Sequence, residues 1–581
     1  MKVSEALQII RQARGREDVS ASLGLACGFE PLHLATLLTA HLQALTPDRR
    51  VDLGTGLFGD LIGNVERLGA RGGEGLVVVW EWFDLDRRLG LRDLGGWRPA
   101  DLVDVVAHAH AASARLQSAI AAAAVRLPVA VCGPTLPLPP AAHTPGWLQG
   151  THTAELHAIA AALTAALARA DGVRVVDQQR LAMLSPLSDR LDVKASLATG
   201  FPYRVAHASI VAELLARLMR PLTPKKGLVT DLDDTLWRGI LGEDGGAGVS
   251  WDLDRKSHAH GLYQQLLASL ADAGVLIAVA SKADSGVVEA GLASSDLLMP
   301  GARFFPVEAH WEPKSFSVAR ILRAWNVGAD SVVFVDDSPA ELAEVEAVHP
   351  GITCLRFPTG DDEATYALLE RLRDLFGTAQ LSAEDAIRAE SLRRAVVVPE
   401  ALTGSSERQD VFLASAEQEL SVLPVTPVGD ARPLELVNKT NQFNLNGRRY
   451  TEGEWRALLE RRGTVAITLG YRDKYGPLGK ISVLAGHLDG DALTIDTWVL
   501  SCRAFSRRVE WGVLDVVFER FGLRELCFQY GRTPKNHLVK EFLARLTGTE
   551  PAADGPVRAS RDAFRRSCPE LFFRSLAGAA A

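Results

Sequence analysis

Three short apolar runs near the middle of the chain each stop abruptly at residues that can do chemistry. LVT meets Asp231-Leu232-Asp233-Asp234-Thr235, VLIAVA meets Ser281-Lys282, and SVVFV meets Asp336-Asp337. Runs this short and this rich in valine read as buried strands bounded by polar breaks. Helical stretches at 263–273 and 316–325 separate them, and strand–helix alternation folds into a parallel sheet covered on both faces. Such sheets bind ligands outside the carboxyl ends of their strands, where all three polar ends lie. Residues 225–378 are therefore expected to form an α/β domain with a site along one sheet edge.

Just past a strand, side chains two apart can enter one pocket, so Asp231 and Asp233 are candidates for a shared site. Two carboxylates there suit Mg²⁺, which also bridges a phosphate. One carboxylate can attack phosphorus while the other gives the leaving oxygen its proton. Thr235, Ser281 and Lys282 are candidates to hold the transferring phosphoryl group. Lys314, in WEPKS, can offset charge gathering at the nucleophile, and Asp336 and Asp337 complete the metal shell. A lone acidic strand end is as often a solvated turn; the four elements in this order are far more specific.

At 581 residues the chain exceeds what one hydrophobic core can hold. Residues 1–220 carry strand signals at 76–79, 129–132 and 173–176 with helices at 99–126 and 154–170, a second α/β domain. Pro221, Pro224, Lys225 and Lys226 read as a linker. Residues 380–575, with strands at 465–469, 480–484 and 493–497 and a helix at 506–521, form a third unit. Lys plus Arg number 63 against 71 Asp plus Glu, so no basic excess marks a nucleic-acid binder. The six cysteines show no CxxC spacing, which points to free thiols in a reducing compartment. The alanine-rich stretch 105–127 is broken by His108, His110, Arg115, Gln117 and Arg126. It reads as a packed helix, because a membrane span needs about 20 mostly apolar residues. The first residues lack an apolar core followed by a cleavage site. A cytoplasmic protein with neither membrane nor nucleic acid as partner is expected.

The run LVTDLDDTLWRGILGEDG, then AVASKAD, WEPKS and VVFVDDSPAE, resembles the haloacid dehalogenase (HAD) superfamily, subfamily IIIC, and within it the FkbH-like proteins of polyketide and related pathways. VNKTNQFNLNGRRYTEGE (437–454), DTWVLSCRAFSRRVE (496–510) and GRTPKNHLVKEFL (531–543) are similar to the C-terminal portion of the same proteins, an acyltransferase-like (GNAT-type) α+β domain. The resemblance implies a HAD-type Rossmann-like domain flanked by other α/β and α+β domains. It also implies an activity: removing phosphate from 1,3-bisphosphoglycerate, a phosphorylated three-carbon substrate, and delivering the glyceryl unit to the phosphopantetheine arm of an acyl carrier protein. On that mapping Asp231 is the phosphoryl acceptor and Asp233 the acid/base. Ser281 and Lys314 hold phosphate, and Asp231, Asp233 and Asp336 ligate Mg²⁺. FkbH-like proteins often have Cys before the second-strand Ser; here that residue is Ala280. Either another cysteine carries the acyl unit, or transfer is direct, or the substrate is another phosphorylated metabolite. About 50 residues separate Asp231 from Ser281, too few for a large cap domain.

A GNAT domain cradles pyrophosphate on a glycine-bearing loop before a helix. Here Arg503-Ala504-Phe505-Ser506-Arg507-Arg508 places Ser and Arg at the glycine positions, suiting a phosphopantetheine phosphate or an acidic carrier helix instead. Cys502, beside a helix start and Arg503, sits where a thiol pKa falls and is the candidate acyl-carrying cysteine. Asn438, Lys439, Asn441, Gln442 and Asn444 either line a substrate pocket or tie down a turn. In the first segment GTGLFGDLIGN (54–64) and GFPYRVAHASIVAELLARL (200–218) resemble the ends of an SGNH-hydrolase fold. No serine stands near Gly59-Asp60, so that domain reads as degenerate, with His207 a structural histidine.

Overall fold

The computed structural model describes residues 1–13, 20–94, 97–378, 406–426, 430–474, 476–501, 504, 507–552 and 554–577. Its contacts group into two compact units. One comprises Met1–Leu222 and Tyr450–Leu458, the other Thr223–Arg449 and Leu459–Ala581.

The first unit is built on strands β1 (Ser20–Cys27), β2 (Arg50–Thr55), β3 (Gly75–Val79), β4 (Val129–Cys132) and β5 (Val173–Val175), all parallel in the order β2-β1-β3-β4-β5. Every residue of β3 and β4 is buried, because helices cover both faces and no alternation with polar residues is needed. Val77 and Val79 of β3 pack with the helices Leu32–Leu45 and Val205–Met219, while Leu76 and Val78 pack with Leu102–Ala124 and Thr151–Ala168. The stretch 105–127 is part of that buried packing, and no helix among the described residues is long and apolar enough to cross a membrane. Tyr450–Leu458 joins this unit through Glu454, which accepts from Arg49 Nη1 at 2.8 Å, through the Arg174–Glu452 ion pair, and through Arg456, which donates to the Val125 carbonyl at 2.6 Å.

The second unit holds two sheets. Strands β6 (Gly227–Thr230), β7 (Leu276–Ser281), β8 (Val307–Ala309), β9 (Val332–Asp336) and β10 (Thr353–Arg356) form a parallel sheet in the order β10-β9-β6-β7-β8. The chain leaves β6 to one side for β7 and β8, then returns to the other side for β9 and β10. β6 and β9 therefore flank the point where strand order reverses, the place where open α/β sheets form a ligand crevice at the strands' carboxyl ends. Between β6 and β7 the chain makes a short flap, in which Arg238 and Ser250 exchange backbone hydrogen bonds of 2.9 and 3.0 Å, and the helix His258–Asp272. No separate cap domain intervenes.

The other sheet has seven strands: β11 (Glu419–Pro424), β12 (Thr464–Asp473), β13 (Gly476–Asp489), β14 (Ala492–Leu500), β15 (Glu525–Gly531), β16 (Asp554–Ser560) and β17 (Arg574–Ala577). In the order β16-β15-β14-β13-β12-β11-β17, only β14/β15 and β11/β17 are parallel pairs. The helix expected at 506–521 spans Val509–Phe521, since Arg508 before it adopts a left-handed conformation that ends the turn. Lys535 pairs with Asp330 at 2.7 Å and Lys226 Nζ donates to the Lys439 carbonyl at 2.9 Å, linking the two sheets within one unit.

Candidate active site

Between the carboxyl ends of β6 and β9 the chain gathers two buried carboxylates, a half-buried third and one buried ammonium. Asp231 follows β6, Asp336 ends β9, and Asp337 comes next. One oxygen from each of the three lies within 4.8 Å of the others. Lys314, the first residue of the helix Lys314–Trp325, reaches between them: Nζ is 2.8 Å from Asp231 Oδ1 and 2.6 Å from Asp336 Oδ2. Asp336 is fully buried, and its other oxygen accepts the Ser338 N–H at 2.9 Å. Burial pushes the Asp231 carboxyl well above the ordinary carboxylate range; Lys314 pulls it back and Asp336 pushes it further up. Burial works against the Lys314 ammonium, yet Asp231 and Asp336 outweigh it and hold its pKa above the usual lysine value. Three carboxylates against one ammonium leave an excess of negative charge in a low-dielectric crevice. Hard oxygen donors at that spacing fit a divalent cation.

Ser281 closes β7 with its residue 3% exposed, and its hydroxyl makes no hydrogen bond among the described residues, so it remains available to a ligand. Other expected site residues are placed differently. The carboxylate of Asp233 stands outside the cluster of three, because its Oδ1 accepts both the Trp237 indole N–H at 2.9 Å and the Leu241 backbone N–H at 3.0 Å. That holds Asp233 to the flap, apart from the three carboxylates with which it was expected to share a site. Lys282 turns aside to Glu341, 2.7 Å away on the helix after β9, so its charge is already paired. Thr235 is fully buried, and its Oγ1 has no hydrogen-bond partner among the described residues. Asp234 takes a left-handed conformation, which aspartate tolerates, and its Oδ1 accepts the Gly239 N–H at 2.9 Å, shaping the turn into the flap. Ala280 is fully buried among Val229, Ala278 and Phe334, so that position faces the core and not the crevice.

Cys502, Arg503, Phe505 and Ser506 lie outside the described residues. Of the polar cluster near residue 440, Asn444 ties down a turn. Asn444 Oδ1 accepts the N–H groups of Asn446 and Gly447, and Arg449 donates to the carbonyls of Val437 and Thr440. β14 and β15 pair with each other only over Ala492–Ile495 and Glu525–Phe528. Beyond that the segment 443–446 bridges them: Leu445 N donates to the Trp498 carbonyl, Gly531 N donates to the Leu445 carbonyl, and Asn446 Nδ2 donates to the carbonyls of both Asp496 and Gln529.

In the first unit the polar groups at the strand ends are satisfied internally. A Cβ at Gly28, just past β1, would stand 1.7 Å from Asp84 Oδ1, leaving no room for a side-chain nucleophile there. Glu81, missed in the sequence although the Glu81–Asp84 capping box marks it, is fully buried. It accepts from Tyr203 OH at 2.6 Å and from the N–H groups of Thr135 and Leu136 at 3.0 Å. His207 is 1% exposed, with Nδ1 2.9 Å from Ser185 Oγ and Nε2 2.9 Å from Thr135 Oγ1. Burial, with Arg190 nearby, pulls its pKa down to about 3. A histidine so placed stays neutral while the unfolded chain's titrates near 6.5. Its contribution to stability is complete above that value and is lost as pH falls toward 3. Replacing His207 with Gln should flatten the fall in urea midpoint between pH 6.5 and pH 3; equal slopes in the two proteins would contradict this assignment.

No protein-family model matches the chain, and no curated protein matches it. Among solved structures, the N-terminal part of the protein BF1531 from Bacteroides fragilis, containing a phosphatase domain complexed with Mg, superposes with a TM-score of 0.51 at 17% identity. The match covers 65% of this chain and 100% of that one. At that identity it shows the fold. An uncharacterized protein from Corynebacterium glutamicum covers 26% of this chain and 98% of its own at 16% identity, with a TM-score of 0.19, too loose a superposition to carry an argument.

Proposed function

We propose that this chain is a HAD-type, Mg²⁺-dependent phosphatase that couples phosphate removal to transfer of a glyceryl unit. The observation that carries the reading is Lys314 held between Asp231 and Asp336 at a crevice lined by a third carboxylate. Asp231 attacks phosphorus and holds the phosphoryl group as an acyl phosphate. Asp233, with one oxygen fixed by the flap, gives a proton to the leaving oxygen and afterwards takes one from the water that releases phosphate. Ser281 and Lys314 hold the phosphoryl oxygens. Asp231, Asp336 and Asp337 would hold Mg²⁺, which supplies charge neutralisation where phosphate oxygens and carboxylates crowd together. The BF1531 fragment, described as a phosphatase domain complexed with Mg, supports the choice of reaction and ion.

The finer reading takes 1,3-bisphosphoglycerate as substrate and the phosphopantetheine arm of an acyl carrier protein as acceptor. The motif runs shared with FkbH-like proteins support it, as does the lack of a cap domain inserted between β6 and β7, since a tethered arm needs an open approach. Burial raises the thiols of Cys27, Cys132, Cys354 and Cys568, which makes each a poor nucleophile. Cys527 is buried within β15, and Cys502 is the candidate the sequence offers. A second reading, a phosphatase of another phosphorylated metabolite, draws on Ala280, whose buried methyl offers no acyl carrier beside Ser281.

Intact-mass measurement separates the two. Incubated with Mg²⁺, 1,3-bisphosphoglycerate and holo carrier protein, the enzyme is expected to add a glyceryl mass to the carrier. Phosphate release with no shift on carrier or enzyme would favour the second reading. Loading that persists unchanged in Cys502→Ala would remove that thiol from the route.

A further inference from the structure

The loops that carry Ser281 and Lys314 are joined by a contact that touches neither residue. Trp311 stands three residues before Lys314 and is 70% exposed, an unusual setting for a large indole that could bury its area elsewhere. It is nonetheless fixed: Nε1 donates to Asp284 Oδ1 at 3.0 Å. Asp284 stands three residues after Ser281 at the N-cap of the helix Ser285–Leu292, yet its side chain does not cap that helix. An N-cap aspartate ordinarily bonds the free N–H groups of its own first turn. Here the carboxylate forgoes that local bond and accepts one from the neighbouring loop.

The same two loops also meet through the backbone, where His310 N donates to the Ser281 carbonyl at 3.2 Å. Each loop is tied in turn to the helix Pro339–Val348 that follows β9. Lys282 Nζ reaches Glu341 at 2.7 Å, and the Ser315 N–H donates to Glu344 Oε2 at 3.1 Å. The three chain segments bearing Ser281, Lys314 and Asp336 are thus laced pairwise. Of these side-chain ties, the one between Trp311 and Asp284 is the most exposed.

Resting on the phosphatase reading, we infer that Trp311 is a positioning residue: its bond to Asp284 sets the distance between Ser281 and Lys314, and so the grip on the phosphoryl group before chemistry begins. Groups that grip the ground state and the transition state alike move KM and leave kcat nearly unchanged. Trp311→Phe keeps an aromatic ring and deletes the N–H. With p-nitrophenyl phosphate and Mg²⁺ it should raise KM by about threefold to tenfold, the scale of one lost hydrogen bond at a partly solvated site, with kcat little altered. Asp284→Ala should match it. Asp284→Asn, which keeps an acceptor oxygen, should restore near wild-type KM. The Trp311→Phe/Asp284→Ala double variant should be no worse than either single variant, because both remove the same bond. Amide hydrogen exchange of the ligand-free protein provides a readout apart from activity: residues 282–284 and 310–313 should exchange faster in Trp311→Phe. Unchanged KM with unchanged exchange, or fully additive effects in the double variant, would overturn the inference. A wild-type protein that hydrolyses no phosphoester refutes the phosphatase reading instead, and the exchange measurement alone then judges the Trp311–Asp284 contact.

Discussion

Asn in place of Asp231 is expected to leave a folded protein whose phosphate release is slower by about 10³-fold or more, the scale on which removing a covalent nucleophile acts. The carboxamide fills the same volume and can still take a hydrogen bond from Lys314, so packing survives. It cannot attack phosphorus. Burial already makes the charged form of Asp231 costly, so the neutral amide should if anything unfold at a slightly higher temperature. Loss of turnover with retained or raised stability is therefore the expected pattern, checked by phosphate release and thermal melts on one preparation. Loss of both together would mean that Asp231 holds the fold and does no chemistry.

Replacing Lys314 with Met, close in shape but uncharged, is the second large effect. Lys314 is 4% exposed and is shared by Asp231 and Asp336. Deleting one partner of a buried ion pair leaves its counter-charges uncompensated, at a cost of about 3–5 kcal/mol. Activity should fall by roughly 10²-fold or more, since a fixed cation at the developing charge is lost. The two losses have different remedies. Added Mg²⁺ replaces the missing positive charge among the carboxylates, so it should raise the melting temperature of Lys314→Met by more than it raises that of the wild type. It should not restore turnover, because the ammonium also grips phosphoryl oxygen. Equal Mg²⁺ shifts in both proteins would mean that the carboxylates and Lys314 do not share one electrostatic site.

Much of the central domain was legible because its signals are local. Each apolar run stops where its strand stops, and the residues just past the stop face the edge by geometry alone. Asp231, Ser281 and Asp336 followed from that rule. Lys314 was legible from its place in WEPKS, between the second and third acidic or polar strand ends along the chain. What escaped were decisions made by distant partners. Nothing near Lys282 signals that Glu341, 59 residues on, will take its charge. Nor does the spacing of Asp231 and Asp233 say that Trp237 and Leu241 will hold the second carboxylate to the flap. Residues 450–458 read as part of the C-terminal unit, yet Arg49 and Arg174 claim Glu454 and Glu452 for the first. The asparagines near 440 left two readings open because an amide donates and accepts equally well. For Asn444 the structure gives the turn, its Oδ1 accepting the N–H groups of Asn446 and Gly447.

The most direct test of the central claim is to catch the acyl phosphate on its carboxylate. Enzyme quenched during turnover and treated with borohydride should yield a peptide in which residue 231 has become homoserine, the reduction product of an aspartyl phosphate. Steady turnover with an unmodified aspartate at 231, or homoserine at any other acidic position, would contradict the mechanism.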